Sequence, residues 1–554
     1  MPATDDRAKA AAAAAAKADA ALATSASKEA EAKERVAKML PTAPPLKPAG
    51  DSIVNLVEAS ESVNSKGEAA VAMATAVIGQ KGKAHAPRTL IDPNNPVVLA
   101  TGSAYGNHYT TEQMHECLIA QRKKEGDTDF DEAFAGRVLK ACGYDFHSVA
   151  LPIEDVFRRM SREEYLEHRM TNLLRLAAEA GECALQRWGG DRKDITHLFW
   201  GTMTGAMHSP TIDILLVKKL DLSRDVERTS IEGMGCLTGY RCLNLARSVV
   251  ATDPNARILV IEGDLRSALG NSLPNPAGKQ DVVAVSLFRD AASSAVVSNG
   301  ANLKPCETPL YEMVTGMSRI VDDTHDLVNY VERDDGAINL HLSKYLPDAI
   351  GVAEPAFVGD LIKKGEGKVK SYPKYGSNFK LPPPKEMDIL CHTGGPRVLK
   401  EVAKAIDATE VNLASSWAIM KAHGNLSGAS NMAVLDHHNQ RRLHGPPSDV
   451  EWCVCLSMGP GECLEGNPTD YYSFDAAAPT NSNSNPNPNP NPNRSVPRGN
   501  LRPLAAQRRR HRRRAGGGGQ GRQARRQGRQ LLVDAHLVVS DPLRSASSAC
   551  SSAQ

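Results

Sequence analysis

The chain has 554 residues, and its 66 Lys and Arg nearly balance its 64 Asp and Glu to give a net charge of +2. Thirteen of the cations are arginines between Arg494 and Arg529, a stretch without lysine or acid, so taking them away leaves a body at −11. At 41% hydrophobic, with no apolar run near the roughly 18 residues of a membrane span, the composition excludes a helical membrane protein. The 11 scattered cysteines form no CxxC pair and no disulfide framework, which points to a reducing, cytoplasmic location.

Residues 1–85 form an Ala/Lys/Glu-rich leader with prolines at 41, 44, 45 and 48. Alanine favours helix, but no apolar stripe exists to bury it, so a solvated, partly helical segment is expected. Plastid targeting is the alternative, and early acids such as Asp5 and Asp6 speak against it. Ordered patterning begins near Pro96, where PVVLATGSAYG reads as a buried strand entering a turn. Ser161 and Glu164 have capping-box spacing ahead of an amphipathic helix, Tyr165 to Trp188, that Gly189 and Gly190 end. Apolar strands then alternate with helices: Ile195–Thr202, the SIEGMGC segment ending at Cys236, a helix over 237–252, and strands at Arg257–Asp264 and Ala291–Ser298. A second set holds a strand at Met387–His392, a helix from Pro396, a helix from Ser427 to about His438, and two strands split by Gly459-Pro460-Gly461. ITHLFWGT and MDILCHTGG look like counterparts, so two similar layered α/β halves are predicted, 86–300 and 301–478. After Gly461 the last strand should stop at Asn467-Pro468, leaving an incomplete edge. Residues 479–554, Asn-Pro repeats followed by Arg clusters, cannot bury a core and are expected to be disordered.

Cys236 closes a strand-like segment, lies in a GMGC turn and directly precedes a helix. The free N–H groups of a helix start favour thiolate, although a packing role is the commoner one for such a cysteine. His392 ends a strand and is followed by Thr393-Gly394-Gly395-Pro396, a turn open to close substrate approach. Asn425, in HGNLSGAS, could donate to an oxyanion or cap the next helix.

In order, GMGCLTGYRCLNLA, CHTGGPRVL, HGNLSGAS and MGPGECLEG resemble the type III polyketide synthases, the chalcone and stilbene synthase family, over Pro96 to Gly466. The resemblance implies a thiolase-like fold of two similar halves and a homodimer, working on malonyl-CoA and an acyl-CoA starter without metal or other cofactor. It makes Cys236 the acyl-carrying nucleophile, His392 its ion-pair partner and Asn425 the second oxyanion donor. It also implies a gate role for Phe288, a second gate near Leu340, cavity positions at Met203, Ser427 and Gly394, and a contact across the dimer for His208. Arg137 and Arg397 match positions suited to the CoA phosphates. Departures are visible too, since the family's GDGA reads Arg289-Asp290-Ala291-Ala292 and the chain is short between Gly336 and Pro347.

The nearest rival, a ketoacyl-carrier-protein synthase III, shares Cys, His and Asn, but this chain has HTGGP where those enzymes usually carry a glutamine-alanine-asparagine run. Papain-like proteases also order their residues Cys, His, Asn, but their nucleophile lies near the mature N-terminus in a different local motif. A thiolase would need a second catalytic cysteine, for which Cys453, Cys455 and Cys463 are candidates less expected than plain strand residues. Nucleic-acid binding through Arg508–Arg514 is disfavoured because no aromatic is interleaved for stacking. Among products, phloroglucinol-type compounds are preferred to acylphloroglucinols, alkylpyrones or alkylresorcinols.

Overall fold

The computed structural model describes residues 92–205, 210–267, 273–332, 338–372, 375–445, 448–460 and 463–471. The Ala-rich leader, the Arg-rich tail and His208 lie outside the described residues. The chain divides into two units, Met1–Pro479 and Thr480–Gln554, and every described residue belongs to the first.

In chain order the elements are β1 (Pro96–Tyr105), β2 (Asn107–Tyr109), α1 (Thr111–Lys124), α2 (Glu132–Ala141), β3 (His147–Val149), α3 (Arg162–Trp188), β4 (His197–Thr202), α4 (Ile212–Lys219), β5 (Glu227–Glu232), α5 (Thr238–Thr252), β6 (Arg257–Asp264), α6 (Lys279–Leu287), β7 (Ala291–Asn299) and β8 (Tyr311–Met313). There follow β9 (Met317–Ile320), β10 (Val328–Glu332), β11 (Ile338–Leu342), α7 (Leu346–Lys370), β12 (Asp388–Cys391), α8 (Pro396–Ala405), α9 (Ala414–His423), α10 (Ala429–His444), β13 (Trp452–Gly459) and β14 (Cys463–Tyr471). The long α3 forms where expected because Ser161 accepts from the Glu164 N–H and Gly189 takes φ +71 to end it. The other half of the capping box is absent, since the Glu164 carboxylate pairs with Arg158 at 2.7 Å instead.

One sheet runs β12-β13-β14-β8-β1-β7-β6-β4-β5, with β9 added along β14. Outward from the antiparallel β1–β8 junction, the pairings are the same on both sides. On one side β1–β7 and β7–β6 are antiparallel and β6–β4 parallel. On the other, β8–β14 and β14–β13 are antiparallel and β13–β12 parallel. The predicted counterparts, β4 and β12, thus occupy equivalent places, and the two halves share a continuous sheet. Alternation along β6 sends Leu259 and Ile261 against Leu173 and Leu176 of α3, and Ile258 and Val260 into a cluster with Leu243 of α5 and Met432 of α10. That second cluster includes Leu390 and Cys455, so α5 and α10 are buried where the halves meet.

Two local expectations change. β14 does not stop at Asn467-Pro468 but continues to Tyr471. Its β9 pairing ends at Gly466 and its β8 pairing starts at Thr469, so Pro468 falls in the gap where no partner on that side needs its missing N–H. The helix expected from Ser427 begins at Ala429 and reaches His444, while Ser427 takes φ +57 in the turn before it. Phe288 directly follows α6.

Candidate active site

After β5 the chain turns through Gly233 (φ +81) and Gly235 (φ +63), then places Cys236 in a single 3-10 turn, Gly235–Leu237, ahead of α5. Gly235 is required twice, because a Cβ there would also lie 2.4 Å from the Pro460 ring. The Asn431 side chain of α10 donates to the Cys236 carbonyl at 2.9 Å, and Ser427 Oγ lies 3.9 Å from Cys236 Sγ. His392 extends the β12 ladder by donating its N–H to Leu456, and the chain then bends through Gly394 and Gly395 into α8. Asn425, between α9 and α10, bridges Phe288 backbone to backbone. Its Oδ1 accepts from the Ser427 N–H at 2.9 Å, which identifies the oxygen end and leaves Nδ2 as a donor.

Cys236, His392 and Asn425 line one cavity of about 400 Å³, together with Phe288, Gly394 and Arg397. His392 and Asn425 are each only 2% exposed. Burial raises the Cys236 thiol, and the Arg266 charge and the Ser427 hydroxyl only partly offset it. Burial likewise lowers His392, to about 3. Both shifts favour the neutral forms, whereas the helix start favours a thiolate and the resemblance implies an ion pair. Removal from water outweighs the weak helix-end field here.

The remaining expected positions separate. Arg397 borders the cavity and is held by Asp348 at 2.7 Å and the Lys344 carbonyl. Arg137 is exposed on α2 with its guanidinium 5.9 Å from the Phe134 ring, while its neighbour Val138 reaches the cavity. Leu340 is buried in a cluster with Phe288, and it is Leu342, two residues on, that meets the cavity. Met203 is not on the cavity wall, and its N–H donates to Asp264 at 2.7 Å. Cys453 and Cys455 are core strand residues, and the side chain of Cys463 lies outside the described residues.

Several residues around the site went unremarked in the sequence. Glu262 and Asp264 are wholly buried at the end of β6, on the face turned toward α5 and α10. Burial, then the Asp264 charge, pushes Glu262 well above the carboxylate range. Asp264 accepts from Thr202, Met203 and Thr204. Their signal was present, since three charged residues at alternate positions (262, 264 and 266) end an otherwise apolar strand segment. Arg289, the residue departing from GDGA, is also buried. It donates to His147 and to the carbonyls of Val285, Ser286 and Phe288.

Comparison with known proteins agrees with this geometry. The model of the chalcone and stilbene synthase N-terminal domain matches residues 158–301, and that of the C-terminal domain matches 312–467. The chain belongs to the chalcone and stilbene synthase family of type III polyketide synthases. It is 32% identical over 291 residues to probable polyketide synthase 1 of Dictyostelium discoideum, covering 52% of this chain but 9% of that much longer protein. It is 29% identical to type III polyketide synthase 10 of Oryza sativa subsp. japonica, covering 52% of this chain and 69% of the relative. Among solved structures, the C-terminal type III polyketide synthase domain of Steely1, a type I/III hybrid from Dictyostelium, matches at TM-score 0.60 and 25% identity, over 68% of this chain and 99% of that one. CsyB complexed with CoA-SH matches at TM-score 0.61 and 22% identity, over 68% and 100%. The fold is thiolase-like α/β. Among the described residues no helix is long and apolar enough to cross a membrane.

Proposed function

We propose that this family member transfers an acyl group from a CoA thioester to Cys236 and extends it by decarboxylative condensation with malonyl-CoA. The observation that carries the reading is the convergence of Cys236, His392 and Asn425 on one cavity. His392 takes the thiol proton as Cys236 Sγ attacks the starter carbonyl, and CoA leaves as a thiol with that proton. Malonyl-CoA then loses CO2, and its thioester oxygen becomes an enolate that the Asn425 Nδ2 and the neutral imidazole stabilise by donating hydrogen bonds. A His392 held neutral suits this donor role. The enolate carbon attacks the Cys236 thioester, a carbon–carbon bond forms, and the thiolate is released for the next round.

Arg397, beside the mouth of α8, is the side chain we assign to the CoA phosphates, and no resident cofactor is required. Cavity walls of Val138, Val283, Leu287, Leu342 and Ile350 suit an aliphatic starter. We therefore place acylphloroglucinols or alkylpyrones beside phloroglucinol from malonyl units alone, and propose a cytoplasmic homodimer. Incubation with malonyl-CoA, with and without hexanoyl-CoA, followed by product mass, tests the reading. Absence of any condensation product in both arms contradicts it.

A further inference from the structure

Arg266 follows β6 and is 4% exposed, yet its Nε and Nη1 have no hydrogen-bond partner. Its guanidinium carbon lies 4.9 Å from the Phe288 ring centroid and 5.4 Å from that of Tyr330. No ion pair among the described residues includes it. The carboxylates near it offer no ion pair: Asp264 receives N–H and hydroxyl groups of Met203 and Thr204, and burial raises Glu262 well above the carboxylate range. Two aromatic faces recover part of the cost of burying a cation, but buried guanidinium N–H groups without an acceptor remain unfavourable. Phe288, whose ring Arg266 touches, borders the cavity that holds Cys236 and His392, while Arg266 itself is not among the residues that line it; its charge favours the thiolate at Cys236 and the neutral imidazole at His392. The unpartnered Nε and Nη1 groups can each donate to an anionic oxygen. The family reading of the sequence assigned no role here.

We propose, resting on the condensing activity above, that Arg266 is a specificity-determining residue that binds the paired oxygens of an anionic substrate segment as it grows on Cys236. A 1,3-dioxo enolate, formed by each extension, presents two oxygens that share one charge and accept from a guanidinium fork as a carboxylate does. A starter that itself ends in a carboxylate offers the same oxygen pair. Holding the enolate beside Phe288 keeps the chain extended and delays its premature closure, so Arg266 acts on chain length more than on the first bond.

The test uses the full chain, comparing wild type with Arg266→Met and Arg266→Lys. With hexanoyl-CoA and malonyl-CoA, the ratio of products extended once to those extended twice or more should rise about tenfold to hundredfold in Arg266→Met, the range set by losing a charged hydrogen-bond pair. Arg266→Lys, which keeps the charge without the fork, should fall between. Succinyl-CoA in place of hexanoyl-CoA separates the sources. If the starter carboxylate is the ligand, wild type prefers succinyl-CoA in kcat/KM and Arg266→Met reverses that preference; if the growing enolate is the ligand, the preference is unchanged and only the extension ratio moves. Should neither variant fold, wild type alone remains informative, because acetylacetone should inhibit extension more strongly as its enolate fraction rises from pH 7 to 9. Unchanged ratios and unchanged starter preference in folded variants overturn the proposal, as does a ratio unaffected while only the pH dependence of Cys236 alkylation moves, or wild type indifferent to acetylacetone where no variant folds. A wild type that forms no condensation product and no Cys236 adduct would instead remove the function on which the proposal rests.

Discussion

Replacing Arg289 with Met removes a head group but keeps a stem of similar length, which isolates its hydrogen bonds. Four acceptors are at stake: His147 Nδ1, met by Nε at 2.6 Å and also by Nη2, Val285 O at 2.9 Å, Phe288 O at 2.5 Å and Ser286 O at 2.7 Å. The carbonyls are those left open at the end of α6, where a cation also suits the helix dipole. Tyr144 covers the fourth, Leu287, at 3.0 Å. Each buried acceptor left unpaired costs about 1 kcal/mol or more. The desolvation of the guanidinium itself, seen as a lowered Arg289 pKa, is recovered in the variant. The net loss expected is about 2–4 kcal/mol, read from urea unfolding at pH 7.5. Function should suffer as well, because the backbone N–H of residue 289, kept in the variant, donates to the Asn425 carbonyl at 2.7 Å, so any shift of the unbraced residue is passed to Asn425. A loosened turn displaces the oxyanion donor, so kcat for condensation should drop about tenfold with KM little changed. Arg289→Lys, with fewer donors, should restore only part. An unfolding midpoint and kcat both equal to wild type would refute the reasoning, and with it the view that this departure from the family pattern is a buried brace.

Asn425→Ala should lower kcat for condensation by about 10²–10³, the usual effect of deleting one oxyanion donor, measured by product formation at saturating malonyl-CoA; a change under threefold would discount that role. Gly235→Ala, meeting Pro460 at a positive φ, should slow Cys236 alkylation by iodoacetamide and lower the melting temperature, whereas normal alkylation would show that the turn tolerates a side chain. Glu354, wholly buried in α7 without a hydrogen-bond partner, is raised by burial to about 8 from 4.5. Between those values the unfolded chain has lost a proton that the native one keeps, so the carboxyl's contribution is full below pH 4.5 and lost as pH rises toward 8. Glu354→Gln should therefore gain stability relative to wild type from pH 5 to pH 8, by an amount on the order of a few kcal/mol, seen as a widening difference in melting temperature; a constant offset across that range would contradict the burial argument.

Legibility followed the range of the interactions. Cys236 could be read because its signals are local, glycines before it and a helix after it, and α3 because Ser161 and Gly189 mark its own ends. The fold's symmetry showed in β4 and β12 for the same reason. Arg289 was visible as an anomaly but not as a brace, since His147 lies 142 residues away in sequence. Arg266 and Glu262 announced themselves only as charges after an apolar run, and their meaning depends on what α5 and α10 bring to that face. The neutral state of His392 was also out of reach, because it follows from how completely the surrounding layers exclude water. Pro468 misled because its tolerance depends on where β9 ends and β8 begins.

The central claim, that Cys236 carries the acyl chain, is tested most directly by intact-protein mass spectrometry after brief incubation with hexanoyl-CoA alone, followed by peptide mapping. One hexanoyl group per chain on Cys236, discharged when malonyl-CoA is added and absent in Cys236→Ala, is the expected result. Carbon–carbon bond formation by Cys236→Ala, or a hexanoyl group mapped to another cysteine and discharged by malonyl-CoA, would contradict the account.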